Sequence, residues 1–530
     1  KAVISLSSTV DRFNDDIHHK GGTLLSANLT WSGTMLAYLS RPPDPAIVGE
    51  RWREMWLKRL ENEPLPIMGW LQHQRRDAFW RHGSICEDYS AIEAAVLMIA
   101  GWADGYRNAP PTAAANLDAP VKAINGPWIH KYPHFAWPHP RADFHAEALR
   151  WWDRWLKGKR NGAEKLPAYR AYVMENVRPR PWRDRDEGRW VAEKSWPSKA
   201  IRERRLVLNP GGALEARART AAGAMRLSSP ENVGVMAGEY FTIRPDADLA
   251  ADQRLDDAGS LVFETAPLED AVEILGRPRL TLKVAIDRPL GNLCARLIDL
   301  HPDGTGFRVS FGVLNLAHRM GNAEPRPMRP GEAETVEIAL DESGYRFLAG
   351  HRIRIAISTA YWPMVLPPPG HVTAEISLGG DSHLTLPVRR GGDVIDMPEP
   401  ADPDPLPHYR EISPGRVART VEHDLTAGVT RYRVHDDGGA HEIPETGGLV
   451  AREMKEETFT IRPDDPLSAV SETHWVIERS RGDWSVRTVT RQRLTADATH
   501  FLIEASLEAF EGDRKVAERR WREKIARDCM

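Results

Sequence analysis

Two residues of this chain stand where side-chain chemistry is usually placed. Asp104 follows the apolar run 95–100 (AVLMIA), inside Gly101-Trp102-Ala103-Asp104-Gly105-Tyr106. His130 follows the shorter run 121–124 (VKAI), inside Asn125-Gly126-Pro127-Trp128-Ile129-His130. Both runs have the length and composition of buried strands. In an open parallel sheet, ligands and reactive groups gather just beyond the carboxyl ends of the strands, so a carboxylate and an imidazole are expected at one edge, one strand apart. A carboxylate fixes the imidazole tautomer and stabilises the imidazolium formed when the ring takes a proton from a nucleophile. Acid before base is the second half of a nucleophile–acid–base order. Singly, each residue has a plainer use: the Asp as a turn former or helix cap, the His as a solvated loop residue.

The elements that must position this pair show in the hydrophobic periodicity. A third apolar run, 2–6 (AVISL), reads as another buried strand. Between the runs, 51–61 puts Trp52, Met55, Trp56 and Leu60 on one helical face, and 141–157 does so with Phe144, Ala148, Trp151, Trp152, Trp155 and Leu156. Strands separated by helices predict α/β architecture with a parallel sheet. Beyond about residue 200 the period becomes two: Leu280, Leu282, Val284 and Ile286; Val336, Ile338 and Leu340; Ile353, Ile355 and Ile357. Breaks at 209–212, 302–304 and 367–370 punctuate these runs, which predicts an all-β sandwich. A Pro- and Asp-rich stretch, 397–407, reads as a linker or long surface connection, and 473–478, 484–490 and 501–510 continue as a β-meander. Tryptophan marks the same boundary, with 14 of 18 before residue 200.

Composition narrows the classes of function. With 530 residues, 28% charged and 41% hydrophobic, the chain has the balance of a folded protein of several domains. Lys and Arg number 71 against 75 Asp and Glu, so no global field attracts nucleic acid or an anionic membrane. No uninterrupted apolar run approaches the roughly 18–20 residues of a membrane-crossing helix. Cys86, Cys294 and Cys529 form no CxxC pair, so neither a zinc knuckle nor a disulfide framework is indicated. Asp11, Asp15, Asp16, His18 and His19 are of metal-ligating type, but capping and ion pairing are their ordinary uses, and no metal is assigned. The basic stretch 514–524 reads as a solvated strand or helix face rather than a nucleic-acid contact.

Several segments resemble the cocaine esterase/X-Pro dipeptidyl-peptidase-like family, CocE/NonD: STVDRFNDDIHHKGG (8–22), SRPPDP (40–45), GWADGY (101–106), GPWIHKYPH (126–134) and WWDRWLKG (151–158). ARLIDLHPDG (295–304) and FLAGHRIRIAISTAYWP (347–363) are similar to that family's C-terminal jelly roll. The resemblance implies a serine hydrolase with Asp104 as triad acid and His130 as general base. It implies part of an α/β-hydrolase domain at 1–17 and 91–200, a helical cap at 18–90, a jelly-roll β-sandwich at 201–395 and a β-rich extension at 408–530. Trp102 and Trp128, beside the triad residues, are expected on the pocket wall, whereas Trp31, Trp52 and Trp56 are expected chiefly in the core. The implied substrate is a small ester, an amide or a short peptide, with no cofactor, no nucleic acid and no membrane. A homo-oligomer and a cytoplasmic location are the further expectations. For a dipeptidyl substrate, Glu61, Glu63 and Glu87 are candidates to hold the free amine.

One departure stands against these matches. The family's nucleophile sits in a G-x-S-x-G elbow, and this sequence contains none. Ser5, Ser7 and Ser8 lack the flanking glycines that such a turn requires. The expectation is a chain that begins after its nucleophile, opening on Lys1 rather than Met, and that is inactive and poorly soluble by itself. The reading from a different class is a non-catalytic binding or interaction module built on the β-sandwich.

Overall fold

The apolar runs come together as a parallel sheet in the computed structural model, which describes residues 1–220, 223–243, 248–401 and 409–530. β1 (Ala2–Leu6), β2 (Ala95–Gly101) and β3 (Val121–Gly126) pair in parallel in that order, and β4 (Tyr169–Glu175) pairs in parallel with β3. All seven residues of β2 are buried, as an inner strand covered on both faces requires. β4 lies outside the sequence reading because a charge interrupts its apolar pattern. Arg170 is buried there, and its two terminal nitrogens donate to the two Glu147 oxygens at 2.8 Å each. β5 (Gly188–Glu193) then turns back antiparallel to β4.

The connections carry the helices. Between β1 and β2 lie α1 (Ala27–Leu39), α2 (Trp52–Asn62) and α3 (Pro66–Gln72). The face expected on 51–61 buries Trp56 and Leu60 but leaves Met55 exposed. Between β2 and β3 runs α4 (Ala109–Asn116), and between β3 and β4 runs α5 (Phe144–Trp155). α5 is shorter than the expected 141–157, because the Asp143 side chain accepts from the Ala146 N–H at 2.9 Å and caps the first turn. Its Trp151 is buried and donates to the Val3 carbonyl at 3.1 Å, tying the helix to β1.

Past residue 200 the chain pairs mainly antiparallel, with one short parallel contact of Glu264 and Ala213. Arg279–Ile286 alternates strictly, burying Leu280, Leu282, Val284 and Ile286, and Glu334–Ala339 and Arg352–Ser358 are strands where alternation placed them. This region joins the parallel strands in one curled mixed sheet, through a parallel contact of Tyr345 with Met174 and Arg346 with Glu175.

A separate antiparallel sheet follows, with six long strands from Val429–Ile443 to Arg514–Ala526 in sequential order and the shorter Arg410–Ser413 and Arg416–Asp424 both paired to the first. Its strands exceed the expected segments; Asp465–Arg481 spans 17 residues. Their outer faces carry charges that obscure the alternation, such as Arg493 beside Glu472 and Arg522 beside Glu504. The inner face buries Val486, Leu494, Phe501, Ile503 and Leu507 against Leu29, Leu36, Trp56, Leu60 and Leu71 of α1–α3. The basic stretch 514–524 is part of a solvated strand. Of the connection expected at 397–407, residues 402–407 lie outside the described residues. No helix among the described residues is long and apolar enough to cross a membrane.

Two glycines end β2 and β3 so that the following loop can cross. A Cβ on Gly101 would lie 1.9 Å from the Trp128 carbonyl oxygen, and one on Gly126 would lie 2.4 Å from the Trp128 indole. Backbone cannot yield as a flexible side chain does. Gly101→Ala is therefore expected to cost at least about 3 kcal/mol in urea unfolding, or to abolish soluble expression; an unchanged midpoint would show that the loop has another way to pass.

Candidate active site

Asp104 and His130 meet. Beyond β2 the Asp104 N–H donates to the Gly101 carbonyl at 3.1 Å, folding the carboxylate back into a fully buried position. Beyond β3 the His130 N–H donates to the Thr242 carbonyl at 2.9 Å. The His130 Nδ1 lies 3.1 Å from each Asp104 oxygen. With Nδ1–H donated to the carboxylate, the proton-accepting lone pair falls on Nε2. The imidazole is 31% exposed, while the carboxylate beneath it has no exposure. This arrangement can accept a proton from a group arriving at the open side of the ring and stabilise the resulting charge from below.

The surrounding residues fix both partners. The Tyr106 N–H donates to Asp104 Oδ1 at 3.2 Å, and Arg107 Nε donates to the Asp104 carbonyl at 2.7 Å. Phe241 stands edge-on to the imidazole with ring centres 4.8 Å apart, and Tyr106 is 5.8 Å away. Trp31 of α1 stacks on Phe241 at 6.4 Å and is partly exposed. Phe241 escaped the sequence reading because nothing in its own segment marks it; its proximity to His130 arises only from the fold.

Trp102 and Trp128 were expected on the pocket wall; Trp102 lines a small cavity with Arg107, Met174 and Phe307. Both are buried within the main core. Trp102 Nε1 donates to the Tyr172 carbonyl at 2.6 Å, and Trp128 Nε1 donates to the Pro140 carbonyl at 2.8 Å while its ring packs against Trp190. A buried indole must satisfy its N–H, and here the backbone of the crossing loops does so. Trp52 and Trp56 also pack away from the site, with each other and with Trp484.

The acid loop is held from the β-region by Asp341. This buried carboxylate accepts from Lys20 Nζ and, at 2.8 Å, from Asn108 Nδ2, with Arg107 Nε 3.8 Å away. The Glu342 N–H donates back to Asn108 Oδ1 at 2.8 Å. Burial opposes the Asp341 charge, but Lys20 and Arg107 outweigh it and hold the carboxyl below its usual range. Glu342 has weaker compensation. Burial, only partly offset by Arg277, pushes it up to about 7, with Asp15 and Asp341 adding repulsion.

The acidic and imidazole cluster near the N-terminus disperses onto separate partners. Asp11 accepts from the Phe13 N–H, Asp15 from Asn108, Asp16 from the Tyr106 hydroxyl, and His18 pairs with Asn28. His19 stacks on Phe13 at 4.2 Å. Among the described residues, the carboxylate–imidazole group compact enough for an ion is instead Asp299, His301 and His351, with ligand atoms within 4.8 Å. Asp299 already accepts from His351 Nδ1 at 3.0 Å and from the Tyr345 hydroxyl at 2.7 Å. Ser5 and Ser8 bond each other through their hydroxyls at 2.5 Å, and Ser7 has a left-handed φ of 46° at the end of β1. None of the three bonds to His130 among the described residues.

Comparison with known proteins points to one group. Residues 1–132 match the family model of X-Pro dipeptidyl-peptidases (S15 family), and residues 161–389 match that of the X-Pro dipeptidyl-peptidase C-terminal non-catalytic domain. Over 411 residues the chain is 24% identical to cocaine esterase from Rhodococcus sp., covering 68% of this chain and 69% of that one. Other curated relatives are longer, and the chain spans 38–49% of their length. An aminopeptidase from the marine sediment archaeon Thaumarchaeota archaeon superposes with a TM-score of 0.57 at 16% identity, over 73% of this chain and 72% of that one. A CocE/NonD family hydrolase from Staphylococcus aureus gives 0.52 at 16%, over 73% and 67%. At these identities the structural likeness is one of fold.

Two measurements test the anchoring of the acid loop. Asp341→Ala leaves Lys20 and Arg107 buried without their carboxylate and is expected to cost about 3–5 kcal/mol in urea unfolding, part of which Lys20→Met in the same chain restores. Glu342 has its carboxyl raised from 4.5 to about 7, so its ionisation opposes folding increasingly as pH rises across that interval. Glu342→Gln is therefore expected to raise Tm above pH 7, with the gain shrinking towards zero near pH 4.5.

Proposed function

The chain belongs to the CocE/NonD family of X-Pro dipeptidyl-peptidase-like serine hydrolases, and from that premise we propose that it supplies the base and the acid of a Ser-His-Asp triad acting on small esters or amides. His130 takes the proton of the nucleophilic serine through Nε2 as the hydroxyl attacks the carbonyl carbon, then returns it to the leaving group. Asp104 holds the ring and stabilises the imidazolium. Water, activated by the same nitrogen, then releases the acyl group and regenerates the serine. The observation that carries this reading is the symmetric contact of both Asp104 oxygens with Nδ1, beneath a ring whose other side is open.

Residues 18–90 act in this reading as the cap, since Trp31 on α1 meets Phe241, which in turn meets His130. Residues 201–395 act as the jelly roll and brace the acid loop through Asp341. Ser5 and Ser8, bonded to each other, are not assigned as nucleophile. Glu61, Glu63 and Glu87 receive no role in binding an amine. Glu87 is paired with Arg76, and Glu63 is buried, pushed by that burial up to about 8, with its backbone carbonyl against Arg519 of the C-terminal sheet.

The test is hydrolysis of p-nitrophenyl esters of short acyl chains by the protein that carries this chain. His130→Gln and Asp104→Asn are each expected to lower kcat/KM by about 10³–10⁴-fold with unchanged circular dichroism. Parent-like rates in both variants would remove the pair from the reaction.

A further inference from the structure

A second constellation of nucleophile, base and acid lies within residues 228–371, apart from the Asp104–His130 pair. Ser228 Oγ is 2.8 Å from His371 Nε2, and His371 Nδ1 is 2.8 Å from Glu231 Oε1. The connectivity repeats that at His130: a buried carboxylate on Nδ1 under a partly exposed ring. The His371 imidazole is 31% exposed and the Glu231 side chain 4%. Here the outer nitrogen already holds a hydroxyl, and that hydroxyl is on an exposed residue. From this geometry we infer that Ser228 is a nucleophile in its own right, activated by His371 and Glu231, that takes acyl groups from small activated esters.

The backbone around the serine is fixed, as an activated nucleophile requires. The Ser229 N–H donates to Thr359 Oγ1 at 3.0 Å, and the Thr359 N–H returns a bond to Ser229 Oγ at 3.1 Å. Ser228 directly follows the strand Ala224–Leu227, whose Leu227 is in register with Ala374, just beyond His371. The Glu231 N–H is tied to the Pro463 carbonyl at 2.8 Å. Arg288 Nε donates to the His371 carbonyl and fixes the backbone that carries the imidazole.

The step balances without a further reactant. Ser228 Oγ bonds to the carbonyl carbon as its proton passes to His371 Nε2. The bond from that carbon to the leaving oxygen then breaks, and the proton goes to that oxygen. An acyl-serine and an alcohol result. Proton direction decides whether the array is competent. With Glu231 protonated it donates to Nδ1, Nε2–H donates to Ser228, and the hydroxyl points to the Val372 carbonyl, 3.3 Å away. With Glu231 ionised the order reverses and the hydroxyl donates to Nε2. Burial pushes Glu231 up to about 7; its hydrogen bond and attraction to His371 oppose this, and Asp465, on the adjoining turn of the C-terminal sheet, reinforces it. Arg288 is the charged group bonded to the His371 backbone.

The experiment is acetylation of the chain by p-nitrophenyl acetate, with the modified residue located by peptide mass spectrometry. Ser195, exposed and bonded only to a carbonyl, is the internal reference. Ser228 is expected to acquire acetyl faster than Ser195 by about 10²-fold or more, at a rate that rises as pH passes through about 7. His371→Gln is expected to bring it down to the Ser195 rate, and Glu231→Gln to slow it. Acetylation of Ser228 no faster than Ser195 in the parent chain overturns the inference without reliance on any variant, as does a rate indifferent to His371→Gln. Because the readout is the residue acylated, the outcome is independent of the role of His130.

Discussion

The loop that carries Asp104 is held by a charge placed far from it in sequence. Asp341, on the turn between two strands of the β-region, is enclosed with Lys20, Arg107 and Asn108. Those partners come from two other segments: Lys20 from the stretch after β1, Arg107 and Asn108 from the loop that presents Asp104. Enclosed charges gain from one another only when geometry is good and the remaining donors are met, and the bond from Glu342 N–H to Asn108 helps meet that condition. The β-region is thus part of the scaffold that holds the Asp104–His130 pair.

A second constraint works at shorter range. The loops leaving β2 and β3 cross each other, since the Trp102 N–H donates to the Gly126 carbonyl and the Ala103 N–H to the Trp128 carbonyl. Two parallel strands can bring their trailing residues together only if the chain ends are unencumbered, which is why glycine closes both. The indoles of Trp102 and Trp128 are then buried beneath the crossing.

Legibility in the sequence followed the burial pattern. β1, β2 and β3 were visible as short apolar runs of strand length, although only β2 is buried throughout and β1, read as a buried strand, leaves Val3 exposed. Asp104 and His130 were visible because they trail two of those runs. β4 was hidden by the buried Arg170–Glu147 pair, which places a charge where the pattern demands an apolar residue. The C-terminal strands were visible only in part, because charged residues pair across their outer faces and dilute the alternation. Phe241 and Asp341 could not be seen at all. Neither belongs to a patterned segment that touches the site, and each gains its role from contacts more than a hundred residues away.

Among the described residues three imidazoles hydrogen-bond a buried carboxylate, and their rings differ in exposure. His351 leans on Asp299, but its ring is only 7% exposed and the same carboxylate also accepts from Tyr345, so the pair is enclosed in the β-region core. A proton taken there would have nowhere to come from. His130 and His371 share the buried carboxylate but keep about a third of the ring open. The buried carboxylate is common to all three, and what differs is how far the ring is exposed. A carboxylate contact alone makes an imidazole rigid; only where the far nitrogen can meet a proton donor or acceptor can that rigidity serve proton transfer.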